Sequence, residues 1–206
     1  MYEIMHHYLE RMISAMYEIV FHGRAGQGAK SASHIVAEAA MQLGKYIQAF
    51  PEYGAAREGA PMRVFLRIAD APIRLNTAIV HPDMIVVLDY SLVGLETIYD
   101  GIKDNTTILL NAKTAPVFLK SLLLKKNPSY TGRIYWLDAS TLSFQEVGRN
   151  VTNTAMLGVF CAASSIVQFE TLKQVFRNEF EQKLSQDVLY KNMQLLDKAY
   201  HQAQVL

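Results

Sequence analysis

A β-like run, Tyr17–His22, leads straight into the glycine-rich stretch GRAGQGAKS (Gly23–Ser31). From Lys30 onward, apolar residues fall at Ala32, Ile35, Val36, Ala39, Ala40 and Leu43, one face of a helix that Gly44 is placed to stop. A strand handed to a helix through a turn at Gly23–Gly28 commits the chain to a sheet with helices packed on it. The rest of the sequence continues the alternation. Lys45–Phe50 reads as a strand, and Met62–Ile68 and Ile73–Asn76 read as a strand pair around the turn-prone Ala69–Pro72. Asp83–Asp89, Thr106–Asn111 and Arg133–Asp138 are short apolar runs of the kind that lie buried in parallel sheets. Helical patterns lie near Leu92–Ile102 and across Ala115–Leu124, and beyond Ser140 at Thr154–Val167, Glu170–Phe180 and Ser185–Gln204. The expected architecture is a single α/β domain: a mostly parallel sheet, helices on both faces, and a helical C-terminal part.

Composition narrows the classes. The chain has 206 residues, half of them apolar, with a formal net charge of +1. That suffices for one sizeable core and offers no basic field for nucleic acid. No apolar run reaches the length of a membrane span. A single cysteine, Cys161, suits a reducing cytoplasm and cannot by itself ligate an iron–sulfur cluster. The start, MYEIMHHYLERMIS, lacks the pattern of a signal peptide. MYEI occurs at Met1–Ile4 and again at Met16–Ile19, where the first core strand begins. Residues 1–15 therefore read as an N-terminal extension to a domain spanning 16–206. One alternative is a short amphipathic helix there; the other is a native start at Met16.

The glycine loop puts backbone N–H groups at a helix N-terminus, a place suited to an anion. Two nucleotide motifs come close, and both fail. The dinucleotide fingerprint needs a third glycine where Ser31 stands. The Walker A loop is broken by Ala29, inserted between Gly28 and Lys30, which turns the lysine by roughly 100° about the helix. Arg24 and Lys30 flank the glycines and favour an anion without naming it. The other reading is a tight turn with Lys30 solvated.

A second irregular stretch, QAFPEYGAAREGAPM (Gln48–Met62), packs two prolines, two glycines, two aromatics and a Glu–Arg–Glu set into one loop. Together, HGRAGQGAKSA and QAFPEYGAAREGAPM strongly resemble the gamma subunit of the 2-oxoacid:ferredoxin (flavodoxin) oxidoreductases, the pyruvate enzymes above all. HPDMIVVLD and NTAMLG (Asn153–Gly158) fit the same family. The resemblance runs from Met16 to about Tyr200.

The resemblance implies an enzyme converting pyruvate, coenzyme A and oxidised ferredoxin into acetyl-CoA, carbon dioxide and reduced ferredoxin. It implies alpha, beta and delta partner subunits that carry thiamine diphosphate, magnesium and iron–sulfur clusters, with ferredoxin or flavodoxin as acceptor. The gamma chain itself is then expected to hold no metal or cofactor and no catalytic residue. In accord, no thiamine-type magnesium motif, hydrolase triad or metal-spaced histidine set is visible. Two roles stay open for the motifs. Arg24, Gly26, Gln27, Gly28, Lys30, Ser31 and Arg57 form part of a coenzyme A phosphate site, Arg and Lys supplying charge-assisted donors. Alternatively, Phe50, Glu52, Tyr53, Arg57 and Glu58 dock a partner subunit. A 2-oxoglutarate or branched-chain oxoacid enzyme is an alternative. So, from other classes, are a stand-alone nucleotide-binding protein and a regulatory ligand-binding module.

Overall fold

The computed structural model describes residues 16–52 and 59–206. The expected extension at 1–15 lies outside the described residues, as do Tyr53, Arg57 and Glu58. In chain order the elements are β1 (Met16–Arg24), α1 (Ala29–Gln42), β2 (Tyr46–Glu52), β3 (Pro61–Ala69), β4 (Met84–Val87), β5 (Thr107–Asn111), α2 (Val117–Lys126), β6 (Ile134–Leu137), α3 (Ala139–Val147), α4 (Thr152–Ala163), α5 (Phe169–Phe180), α6 (Gln186–Gln202) and β7 (Gln204–Val205).

The strands form one sheet in the order β2-β3-β1-β4-β5-β6-β7. Strands β1, β2, β4, β5 and β6 run one way; β3 and β7 run the other. The sheet therefore has two halves. From β1 through β6 every pairing is parallel, while β2, β3 and β1 pair antiparallel.

Strand periodicity sorts the core onto two faces. Ile19 and Phe21 of β1 and Met84 and Val86 of β4 join the large core under α1 and α3–α6. Ile85 and Val87 of β4 and Ile108 and Leu110 of β5 point the other way, to Leu119 and Leu123 of α2 and to Leu92, Ile98 and Tyr99. Among the described residues, the same face of the antiparallel half carries a small cluster, Val20, Phe65 and Ile79, with Phe50 against it. The buried residues of α1 are mostly alanines, so that helix can lie close to β2, β3 and β1.

Two of the glycines that fix close approaches involve α4. Gly28 has φ +80°, and a Cβ there would lie 2.6 Å from the Asn153 side chain at the start of α4. A Cβ on Gly158 would meet the Leu196 carbonyl oxygen at 2.7 Å and the Tyr200 nitrogen at 2.8 Å, so α4 and α6 touch through backbone.

Four expectations change. Ile73–Asn76 forms no strand, because both edges of β3 are already taken, by β2 and by β1. In place of a helix over Leu92–Ile102 there are two short 3-10 turns, Tyr90–Leu92 and Glu96–Tyr99, on either side of Gly94. Ala139–Val147 is a separate helix, begun where the Asp138 carboxylate accepts from the Thr141 N–H at 2.9 Å. The last helix stops at Gln202, and Gln204–Val205 instead pairs antiparallel with β6.

Candidate functional site

The glycine loop follows β1 and faces the carboxyl ends of the parallel strands, the side of an open α/β sheet on which ligands bind. A crevice of about 380 Å³ lies there, between the loop and the segments following β4, β5 and β6. Gln27, Asp89, Asn111, Lys113, Ser140 and Thr152 line it. Asn111 ties three of these segments together. Its amide donates at 2.9 Å both to the Leu88 carbonyl and to the Ser140 hydroxyl.

Arg24 faces inward to the protein. Its Nη2 donates to Ser91 Oγ at 2.8 Å, its Nη1 to the Gly59 carbonyl at 3.0 Å, and its Nε lies 3.2 Å from Asp89 Oδ2. Gln27 Nε2 donates to the same Asp89 oxygen at 2.6 Å, and the Arg24 N–H donates to Gln27 Oε1 at 2.8 Å. Burial pushes the Asp89 carboxyl up, but hydrogen bonds from Ser91 and Gln27 and the Arg24 guanidinium outweigh it and hold the group below its ordinary value. Asp89 is thus an ionised, saturated hub that fastens the glycine loop to the end of β4. Its sequence signal was an apolar strand ending in Asp, and its hydrogen-bond partners give it a positioning role.

The loop also departs from the outward-facing arrangement of N–H groups expected of an anion cradle. The Gln27 N–H donates back to the Arg24 carbonyl at 3.0 Å, closing a turn. Gly26 is exposed at φ +95°, and Gly28 is held against Asn153. Lys30 is exposed and makes no ion pair with a described residue, and Ser31 is half-buried beside it. Among the described cations at the loop, Lys30 makes no ion pair, while Arg24 shapes the turn.

The second motif enters the sheet on the other side of β1. Phe50 packs on Phe65 with ring centroids 5.2 Å apart, and Glu52 pairs with Arg63. Two polar rows cross the antiparallel half, separated by the Phe50–Phe65–Val20 row. In one, Arg67 is 1% exposed; it donates to Glu18 Oε1 at 2.8 Å and to Gln48 Oε1 at 2.9 Å. In the other, Arg63 stands between Glu52 and His22. Burial, and then the Arg63 guanidinium, lower the His22 imidazole to about 3, so it is neutral. Sequence reading missed both arginines; their only signal was an i, i+4 pair of cations inside an apolar strand.

These groups can orient and bind. Among the described residues no set of three His, Cys, Asp or Glu side chains could hold a metal, and no helix is long and apolar enough to cross a membrane. Cys161 is buried, its thiol pushed up to about 12, and one such thiol does not fit an iron–sulfur cluster.

Comparison with known proteins agrees along nearly the whole chain. The chain is 41% identical over 186 residues to the pyruvate synthase subunit PorC of Thermotoga maritima, covering 90% of this chain and 94% of that one. It is 37% identical to the pyruvate/ketoisovalerate oxidoreductases common subunit gamma of Pyrococcus furiosus, covering 92% and 98%. The crystal structure of the Thermotoga pyruvate oxidoreductase subunit superposes with a TM-score of 0.79 at 38% identity, over 93% of this chain and 98% of that one. A 2-oxoglutarate:ferredoxin oxidoreductase from Magnetococcus marinus shares the fold at a TM-score of 0.71 and 20% identity; the match covers 91% of this chain and 31% of that longer one. Residues 18–202 match the pyruvate ferredoxin/flavodoxin oxidoreductase family, and the chain belongs to it.

Proposed function

We propose that this chain is the gamma subunit of a multi-subunit pyruvate:ferredoxin oxidoreductase, working in the cytoplasm with alpha, beta and delta subunits. The observation that carries the proposal is the 41% identity, nearly end to end, with a pyruvate synthase subunit. Thiamine diphosphate with magnesium, and iron–sulfur clusters, would sit on the partners and supply decarboxylation and electron transfer. This chain's own contribution is positional. The Asp89 hub holds the glycine loop beside the crevice, which the loop lines through Gln27, and Lys30 at the start of α1 would meet a phosphate of coenzyme A. Gly26, Gln27, Gly28 and Ser31 shape that approach and Arg24 braces it, with Arg57 as a further phosphate contact. Phe50, Glu52, Tyr53, Arg57 and Glu58 of the second motif would serve to dock a partner subunit.

A second reading has specific support. The Pyrococcus relative is described as common to pyruvate and ketoisovalerate oxidoreductases, so this chain would serve more than one catalytic partner set.

The test is affinity purification of the tagged chain from its native host. Alpha, beta and delta subunits, cluster absorbance, and pyruvate- and coenzyme-dependent ferredoxin reduction should accompany it. Recovery of the chain alone, or turnover by the isolated chain with added thiamine diphosphate, magnesium and acceptor, would sink the proposal. Recovery of two alpha/beta sets would establish the shared role. In the assembled enzyme, Lys30→Ala should raise the KM for coenzyme A about tenfold, equivalent to about 1.4 kcal/mol, and spare that for pyruvate. Unchanged coenzyme dependence would remove Lys30 from the site.

A further inference from the structure

The open polar row is the floor of a second cleft, separate from the crevice at the glycine loop. It has two adjoining lobes of about 300 and 210 Å³, and His22, Arg63, Thr97 and Ile98 line both. Leu92 and Leu95 wall the first lobe, and Phe65 and Ile79 the second. Ligand sites are typically of this kind, apolar walls with a few convergent polar groups.

The polar groups here are incompletely used. His22 is 5% exposed, yet its imidazole makes no hydrogen bond to a described residue. Among the described residues no buried side-chain nitrogen or oxygen lacks a partner, so an imidazole nitrogen left without one is open to the cleft that His22 lines. Arg63 lies opposite it on β3. The guanidinium donates from Nε to Glu52 and lies over the Phe65 ring, 5.6 Å from its centroid. Its two Nη groups make no hydrogen bond to a described residue. A planar guanidinium with a free edge matches a carboxylate. Of the carboxylates lining the cleft, Glu52 is held by Arg63 Nε and Asp100 by Lys126 at 3.0 Å.

We propose that this cleft binds a small aliphatic monocarboxylate, its carboxylate accepting from Arg63 Nη and His22 and its apolar body resting between Leu92, Leu95 and Ile98. The neutral state of His22 fits this arrangement. A neutral imidazole donates one N–H without adding a second cation beside Arg63. The role proposed for the site is binding, not turnover. It does not depend on which oxoacid the assembled enzyme uses.

The test uses the full chain with isotope-labelled histidine, titrated with sodium isovalerate and followed by NMR of the imidazole signals. The His22 signal should move and saturate. Isovaleramide, with the same body and no charge, should bind at least tenfold more weakly, and so should acetate, which lacks the body. Arg63→Met should weaken isovalerate at least tenfold. Because that change also breaks the pair with Glu52, Leu95→Trp provides a second probe. It fills the first lobe from the wall, leaves the polar row intact, and should weaken binding as much. Absence of a saturable His22 shift, equal binding of the amide, or wild-type affinity in both variants would overturn the proposal.

Discussion

Arg63 and Arg67 lie four residues apart on the same strand and the same face, and each has polar residues opposite it on both neighbouring strands. Their surroundings differ completely. Arg67 is sealed, with Glu18 and Gln48 on either side and the Ala78 carbonyl 3.4 Å away. The Arg63 side chain is 38% exposed, with one exposed carboxylate as its partner and a cleft on its other side. A buried ion pair must be fully hydrogen-bonded to be tolerated. The Glu18–Arg67–Gln48 row meets that demand and staples three strands where few apolar residues cover the sheet. The Glu52–Arg63 pair is exposed and faces no such demand, and donors left over at a cleft are groups that a ligand can use. Residue type alone therefore says little about an arginine in a strand; the saturation of its donors separates brace from binder.

The sharpest break of this contrast is Arg67→Met. It strands the Glu18 carboxylate and the Gln48 amide, and should destabilise the chain by about 3–5 kcal/mol in urea unfolding. Glu18→Gln combined with Arg67→Met should recover part of the loss, since no buried charge then remains unpaired. A loss below 1 kcal/mol for the single change would mean that the row is not a brace.

Next in size is the acid response of His22. Its folded-state value, about 3, lies below the ordinary 6.5, so below pH 6.5 the unfolded chain takes up a proton that the folded chain refuses. Its contribution to stability is complete above pH 6.5 and declines as the pH falls toward 3. The slope approaches about 1.4 kcal/mol per pH unit. His22→Leu should remove that component; an identical pH profile in the variant would show that His22 titrates normally.

Smallest should be Arg63→Met measured as stability. Its pair with Glu52 is exposed, so the change should amount to less than about 1 kcal/mol. A loss comparable to that of Arg67→Met would erase the distinction between the rows.

Much of the parallel half was legible in the sequence. Its strands are buried on both faces, so they read as uninterrupted apolar runs such as MIVVL, which end close to where the ladder ends. The antiparallel half was harder. Its β3 carries Arg63 and Arg67 among apolar residues, and nothing local says which cation is buried. The false strand at Ile73–Asn76 has the same origin: local pattern cannot tell that both edges of β3 are occupied. At the glycine loop, glycines and flanking cations marked the place. The inward turn of Arg24 depends on Asp89 and Ser91, more than sixty residues away.

The stretch NTAMLG has its reason at both ends. Asn153 fills the space that a side chain at position 28 would need, and Gly158 lets the backbones of α4 and α6 meet. In the language of descent, each end is a site where drift stops at the first step. Even alanine at 158 would press on a peptide oxygen, which cannot rotate away as a side chain could, so relief would require moving a helix. A lineage could leave glycine there only by changing α6 in concert, a double event with an unfit intermediate. Position 28 is gentler, because its neighbour is a side chain, but the left-handed backbone closes that route as well. Lines that diverge freely over the exposed helices should therefore still share these two glycines, and a descendant lacking either should show α4 displaced.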